Sequence, residues 1–257
     1  MKFLNARPLL AGLEAGIDAP FPYTFSVAEP ARCADLLGGG QAQVGLVPVA
    51  ALPWLPAVQA YPFLGIAAQG ETTSVLLVSR VPLEQVRILA AHTASRTSVL
   101  LARLLLKARY GVEPRVLSAN PPVEAMLATA DAAVVIGDPA MAVNGAEGLF
   151  RCDLAAEWLA WRGQPFVFAL WGVRPAVPRE VFSLLEASFR YAQEHFAELL
   201  PRWAASHGTS LQRAREYLGG LLRFQLGEGE RRAVEDFLRL ANEVGLLPPR
   251  GALWCHD

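Results

Sequence analysis

The residues able to do chemistry in this chain cluster where short apolar runs break into polar loops. Between positions 92 and 98 the sequence reads HTASRTS, with hydroxyls at Thr93, Ser95, Thr97 and Ser98 and a guanidinium at Arg96. Hydroxyl oxygens in such a place accept the unpaired amides of a helix's first turn. Those amides and the helix dipole, equivalent to about half a positive charge, attract an anion. Ser95, Thr97 and Ser98 therefore read either as plain helix caps or as a cradle for a carboxylate or phosphate. Arg96 could grip a carboxylate through two parallel bonds or face water. Three other breaks carry comparable potential: Asn5-Ala6-Arg7, Val47-Pro48-Val49 and Gly137-Asp138. An amide such as Asn5 can donate and accept, Gly137 lets backbone come close to a ligand, and Asp138 before Pro139 suits a helix cap.

These loops need elements to hold them. Val86–Ala91 is a brief apolar run, expected as a buried strand, and from Val99 a helix follows that Gly111 ends by adopting a left-handed cap. Pro8 opens a helix over Leu9–Ala15. Tyr23–Val27 alternates like a strand, Ala31–Leu37 reads as a helix stopped by Gly38-Gly39-Gly40, and Val44–Val49 as a strand. Ile66–Ala68, Ser74–Ser79, Arg115–Leu117, Ala132–Ile136 and Pro165–Val173 are further strands; Pro122–Ala128 and Trp158–Arg162 are helices. The tail reads as helical throughout, over Val181–Leu200, Leu211–Leu222 and Glu230–Val244. Such alternation predicts mostly parallel sheets covered by helices, with ligands bound beyond the strand ends, where loops meet helix N-termini.

Composition limits the function classes. At 257 residues, 53% hydrophobic and 18% charged, the chain can bury a large core as one domain or two lobes. A formal net charge of −1 gives no long-range pull toward nucleic acid or an anionic membrane, so neither is expected as a partner. Cys33, Cys152 and Cys255 are odd in number and widely spaced, which argues against a disulfide framework or a metal site. With no signal-peptide pattern and no run of about 20 apolar residues, a cytoplasmic protein is expected.

The segments FLNARPL, VGLVPVAAL, SVLLVSRVPLEQV, SRTSVLLARLLL, AAVVIGDPAM and PFVFALW, in that order, resemble the menaquinone-biosynthesis family of chorismate dehydratases. The resemblance covers nearly the whole chain and implies the fold of type-II periplasmic binding proteins: two α/β lobes, two crossover strands and a ligand cleft between. It implies a discontinuous first lobe, residues 1–78 plus 172–257, and a second of 79–171, with SVLLVSR and FVFALWGVR as the crossovers. It implies a lyase that removes water from chorismate to give 3-[(1-carboxyvinyl)oxy]benzoate at the start of the futalosine route, without cofactor or metal.

Two departures stand out. Family members place a strand before the motif that here reads FLNARP, whereas this chain begins almost on it, so that strand is expected to be short or to begin upstream of Met1. Arg162 also stands where a small polar residue would precede Gly163.

With that likeness, Asn5 and Ser74 are the expected catalytic residues, and Val47, Pro48, Thr73, Ser95, Arg96, Thr97, Ser98, Gly137 and Asp138 the expected contacts to a dicarboxylate. Among the histidines, His92 reads equally as packing or base, while His195, His207 and His256 in the tail are poor candidates. With no evident base in the motifs, the substrate's own enolpyruvyl carboxylate is expected to take the ring proton. Two other readings remain: a 1,4-dihydroxy-6-naphthoate synthase-like sibling, whose pattern has a histidine-glutamate pair after the strand that here ends at Gly137-Asp138, the histidine being absent here, and a non-enzymatic protein of the same fold that binds small anions.

Overall fold

The computed structural model describes residues 2–141, 143, 148–175 and 177–255; His256 lies outside them. Lys2 and Phe3 lead straight into a 3₁₀ turn, Leu4–Ala6, and then α1 (Arg7–Ala15), so no strand precedes the first motif among the described residues. The chain continues through α2 (Pro30–Gly38), β1 (Val44–Pro48), β2 (Gln59–Ala68), β3 (Val75–Ser79), β4 (Ile88–His92), α3 (Thr97–Tyr110) and β5 (Arg115–Ala119). Then come α4 (Val123–Leu127), β6 (Ala132–Ile136), α5 (Asp138–Met141), β7 (Phe150–Asp153), α6 (Leu154–Arg162) and β8 (Phe166–Val173). The tail holds α7 (Glu180–Glu194), α8 (Phe196–Ser206), α9 (Leu211–Glu216), a π-helical turn Tyr217–Leu221, β9 (Leu222–Gln225) and α10 (Glu228–Glu243).

The strands form two sheets, ordered β1-β8-β2-β9 and β5-β4-β6-β3-β7. In the second sheet successive residues serve opposite faces, as a strand's period of two requires. Val75 and Leu77 of β3, with Ala132 and Val134 of β6, join the large core beneath α3 and α6. Leu76, Val78, Ala133 and Val135 face a smaller core with Met126 and Leu127 of α4. Its inner strands β3, β4 and β6 are buried on both faces.

Parallel pairing is less general than the alternation suggests. Among the strands of the described residues β4 alone pairs in parallel, with β5 and β6; β3 runs antiparallel to β6 and β7, and each strand pair in the first sheet is antiparallel. The cause is the double crossing: β1 and β2 run outward before the chain leaves the first sheet, and β8 and β9 enter it running the other way. The chain passes between sheets in the loops 69–74 and 163–165. The expected boundaries 78/79 and 171/172 fall inside β3 and β8, each of which pairs within one sheet along its length.

Three further expectations need correction. Residues 21–28 keep the alternation, with Phe21, Tyr23 and Phe25 half-buried and Pro22, Thr24 and Ser26 exposed, but no ladder forms. A cavity of about 670 Å³ separates them from Val44–Leu46 on the outer edge of β1, so there is no neighbour to pair with. The tail is not wholly helical. His195 divides α7 from α8, and after Gly219-Gly220, poor helix formers, Leu222 and Phe224 turn inward to pair β9 with β2. Finally, β7 adds an unexpected edge strand beside β3.

Two devices fix the loops of interest. Gly12 of α1 sits so close to α7 that a Cβ would lie 2.5 Å from Ser188 Cα. In that contact the Ser188 hydroxyl accepts from Leu13 N–H at 3.1 Å and donates to Leu9 C=O at 3.0 Å, anchoring the helix that follows Asn5. In the first exchange loop, Asp153 accepts from Thr72 N–H, the Thr72 hydroxyl and Thr73 N–H while capping α6 at Ala155 and Ala156. Thr73, held there at φ 59°, is a β-branched residue in the left-handed region, a strained conformation that the carboxylate maintains.

Candidate functional site

A small cavity lies where the sheets meet, at the loops after β6 and before α1 and α3. Its wall includes Phe3, Asn5, Pro48, Ile66, Val75, Ser95, Thr97, Ser98, Ile136, Gly137 and Phe168, and it encloses about 40 Å³. That is room for a water molecule or two, against about 300–1,000 Å³ for typical ligand pockets. A ligand with a six-membered ring therefore requires the walls to part. Gly137 (φ 68°) is obligatory here, because a Cβ would meet the Phe3 ring at 2.7 Å.

On the α3 side, the Ser95 hydroxyl accepts from Ser98 N–H at 3.2 Å, so Ser95 caps the helix. Thr97 donates its hydroxyl to Phe168 C=O (3.0 Å) and accepts from Ala50 N–H (3.2 Å). Both of its capacities are used in tying α3 to the first sheet's elements. Ser98 reaches the cavity wall, and among the described residues its hydroxyl has no protein partner. Arg96 points away from the cavity and pairs with Asp35 of α2 at 2.6 Å.

The other side is built around Asn5, on the 3₁₀ turn. Its Oδ1 is buried without a hydrogen-bond partner, a state that costs about 1–3 kcal/mol unless a ligand donates to it. Behind it stands Tyr217, 1% exposed, whose hydroxyl donates to Ser74 Oγ at 2.7 Å and lies beside the Asn5 side chain. Burial pushes the Tyr217 hydroxyl well above its ordinary pKa, so it remains a donor.

Of the expected residues, the wall thus brings together Asn5, Pro48, Ser95, Thr97, Ser98 and Gly137. Ser74 and Val47 are buried outside the wall, and Thr73, half-buried, does not line it. Asp138 accepts from Leu4 N–H at 3.4 Å and from His207 Nδ1 at 2.6 Å, not from the cavity. His207 Nε2 meets Arg7 Nε at 3.1 Å, so both ring nitrogens are engaged. His92 is 6% exposed and its pKa is lowered by burial, partly countered by Glu29. It accepts from Ile136 N–H at 3.4 Å and packs edge-on against Phe3. Among the described residues, the wall carries no titratable side chain, and no three His, Cys, Asp or Glu side chains gather as a metal ion would require.

Sequence reasoning missed Tyr217 and His207, which reach the site region from the tail. For Tyr217 a signal existed: Gly219-Gly220 followed by the alternating LRFQ contradicts an unbroken helix. Nothing local marks His207.

The sequence matches the menaquinone biosynthesis family over residues 1–243. The chain belongs to that family. Protein AF1704 from Archaeoglobus fulgidus superposes with a TM-score of 0.77 at 18% identity, over 95% of this chain and 96% of that one. The aliphatic sulphonate binding protein SsuA from Escherichia coli gives 0.63 at 12% identity, over 99% of this menaquinone-biosynthesis chain and 88% of its own. An ABC transporter from Parabacteroides distasonis gives 0.61 at 17%, over 98% and 95%. These likenesses establish a periplasmic-binding-protein-like fold for this family member. No helix among the described residues is long and apolar enough to cross a membrane.

Proposed function

We propose that this member of the menaquinone biosynthesis family is a cytoplasmic chorismate dehydratase, acting without cofactor or metal on a dicarboxylate held between two lobes that exchange at 69–74 and 163–165. The observation that carries the reading is the composition of the cavity wall among the described residues: an unsatisfied amide oxygen, a helix N-terminus with hydroxyls, apolar surface, and no titratable side chain. A wall of that kind can bind and orient but cannot itself remove a proton at neutral pH, which suits a substrate that carries its own base.

In this reading one carboxylate takes the first-turn amides of α3 and the Ser98 hydroxyl. The C4 hydroxyl donates to Asn5 Oδ1, which turns the hydroxyl's lone pairs toward the enolpyruvyl carboxyl group. That carboxylate removes the C3 proton, the C4–O bond breaks, and the departing hydroxyl takes up the proton as water, leaving an aromatic ring. Orientation of this intramolecular kind is worth about 7–11 kcal/mol. The test is direct: purified protein is incubated with chorismate and the products are separated. An aromatic product with an enolpyruvyl ether at the meta position supports the reading; unchanged chorismate at high enzyme concentration rejects it.

A further inference from the structure

The hydrogen bonds around Tyr217 do more than fill the space behind the cavity, because each leaves its partner only one way to face. The Tyr217 proton is given to Ser74 Oγ at 2.7 Å. The same phenol oxygen can then only accept, and the side chain beside it is that of Asn5, whose donating part is its NH₂ group. The Asn5 carbonyl oxygen is thereby turned the other way, and it is the atom found buried without a partner on a residue of the cavity wall. Ser74 links this relay to the rest of the site, since its carbonyl accepts from Gly137 N–H at 2.8 Å and its N–H donates to the Thr72 hydroxyl at 3.3 Å. Tyr217 itself opens the π-helical turn Tyr217–Leu221, a local departure from the α-helix of the kind found at functional sites. Without the relay, the two ends of the Asn5 amide could exchange places, and the wall would offer a donor where it now offers an acceptor.

We propose that Tyr217 is a positioning residue that sets the polarity of the site: through Ser74 on one side and Asn5 on the other, it holds the Asn5 carbonyl toward the ligand. The inference deepens the dehydratase reading in naming what the ligand must present there, a hydroxyl or other donor and not a second carboxylate. Ser74 acts in this scheme from behind the wall, as the acceptor that orients the Tyr217 proton.

Two measurements test it. In kinetics with chorismate, Tyr217→Phe and Ser74→Ala should each lower kcat about 10- to 100-fold, as loss of alignment by one hydrogen bond would, with KM within threefold. The double variant should be no worse than the worse single one, because both break one relay. In ¹⁵N-labelled protein without ligand, the Asn5 side-chain NH₂ signals, assigned by their loss in Asn5→Ala, should shift and exchange faster with water in Tyr217→Phe. Unchanged kcat in Tyr217→Phe, additive losses in the double variant, or unchanged Asn5 signals would overturn the inference. If the parent protein leaves chorismate untouched, the dehydratase reading falls alone, and the ligand-free amide signals still decide the role of Tyr217. Should Tyr217→Phe fail to fold, the same signals in Ser74→Ala decide it.

Discussion

On one side of the cavity Thr97 gives both its hydrogen-bonding capacities to Ala50 and Phe168, and Arg96 turns outward to Asp35. On the other, Asn5 keeps a buried carbonyl oxygen with no partner among the described residues. The side richer in candidate groups is thus largely engaged, with the Ser98 hydroxyl left over, and the poorer side holds a buried oxygen that is still unspent. Residue type reports what a side chain can do; only its partners report what is left over for a ligand. The difference also divides the expected effects of mutation, since engaged groups should matter for stability and unengaged ones for turnover.

The largest effect is expected at Asn5. Removing a single preorganised polar group from a reacting centre costs about 10²–10³ in rate, so Asn5→Ala should lower kcat/KM for chorismate by that order. Its stability should change little, because deleting a buried unpaired oxygen offsets the lost contact with Tyr217. Steady-state kinetics beside thermal unfolding would show this, and a rate loss below tenfold would break the contrast between the two sides.

Thr97 and Ser98, adjacent in sequence, sharpen it further. Thr97→Val keeps the shape but leaves Ala50 N–H and Phe168 C=O unpaired, for a loss of roughly 1–3 kcal/mol each in unfolding free energy. Ser98→Ala should leave stability alone and raise KM about tenfold, the worth of one hydrogen bond to a charged group. The reverse pattern, a KM effect at 97 and a stability effect at 98, would place the ligand against a different part of the turn.

Arg96 is predicted to matter less. Its pair with Asp35 is substantially exposed, and such pairs are worth about 0–1 kcal/mol. Yet it ties α3 to α2 beside a cavity too small for the ligand proposed, so Arg96→Gln should favour an opened form. Small-angle scattering of the ligand-free variant should give a larger radius of gyration than the parent, restored by product. Equal radii would assign closure to the Thr97 and Asp138 contacts instead.

How far these roles were legible follows from the same distinction. The apolar runs at 75–79, 132–136 and 166–173 declare their strands because both faces are buried, and the polar loops after strands mark the cavity. Pairing partners are not written locally. Tyr23–Val27 has a strand's alternation and no neighbour to pair with, while the LRFQ stretch hidden in the helical tail finds the edge of β2. The relay from Ser74 to Tyr217 joins residues 143 positions apart, a distance across which no spacing rule operates. Family resemblance pointed to Asn5 and Ser74 without distinguishing the wall residue from the one behind it.

The smallest effect concerns pH, where the two sides of the cavity should agree. With no titratable side chain in the wall among the described residues, kcat/KM should be flat between about pH 6 and 8, as an ionised substrate carboxylate is the base. Stability should behave otherwise, because His92 is buried with its pKa below the ordinary value, chiefly through desolvation. Once the pH falls below about 6.5, the unfolded chain binds a proton at this position that the folded one resists. Unfolding is then favoured progressively, down to the lowered folded-state pKa, whereas above 6.5 both forms are neutral and the contribution is constant. Denaturant titrations from pH 8 to 5 should show a decline in stability that becomes shallower in His92→Gln, while the kcat/KM profile of that variant keeps the parent's shape. A kcat/KM that falls with an apparent pKa near 6.5, and loses that dependence in His92→Gln, would make His92 an enzymatic base and remove the substrate's carboxylate from that role.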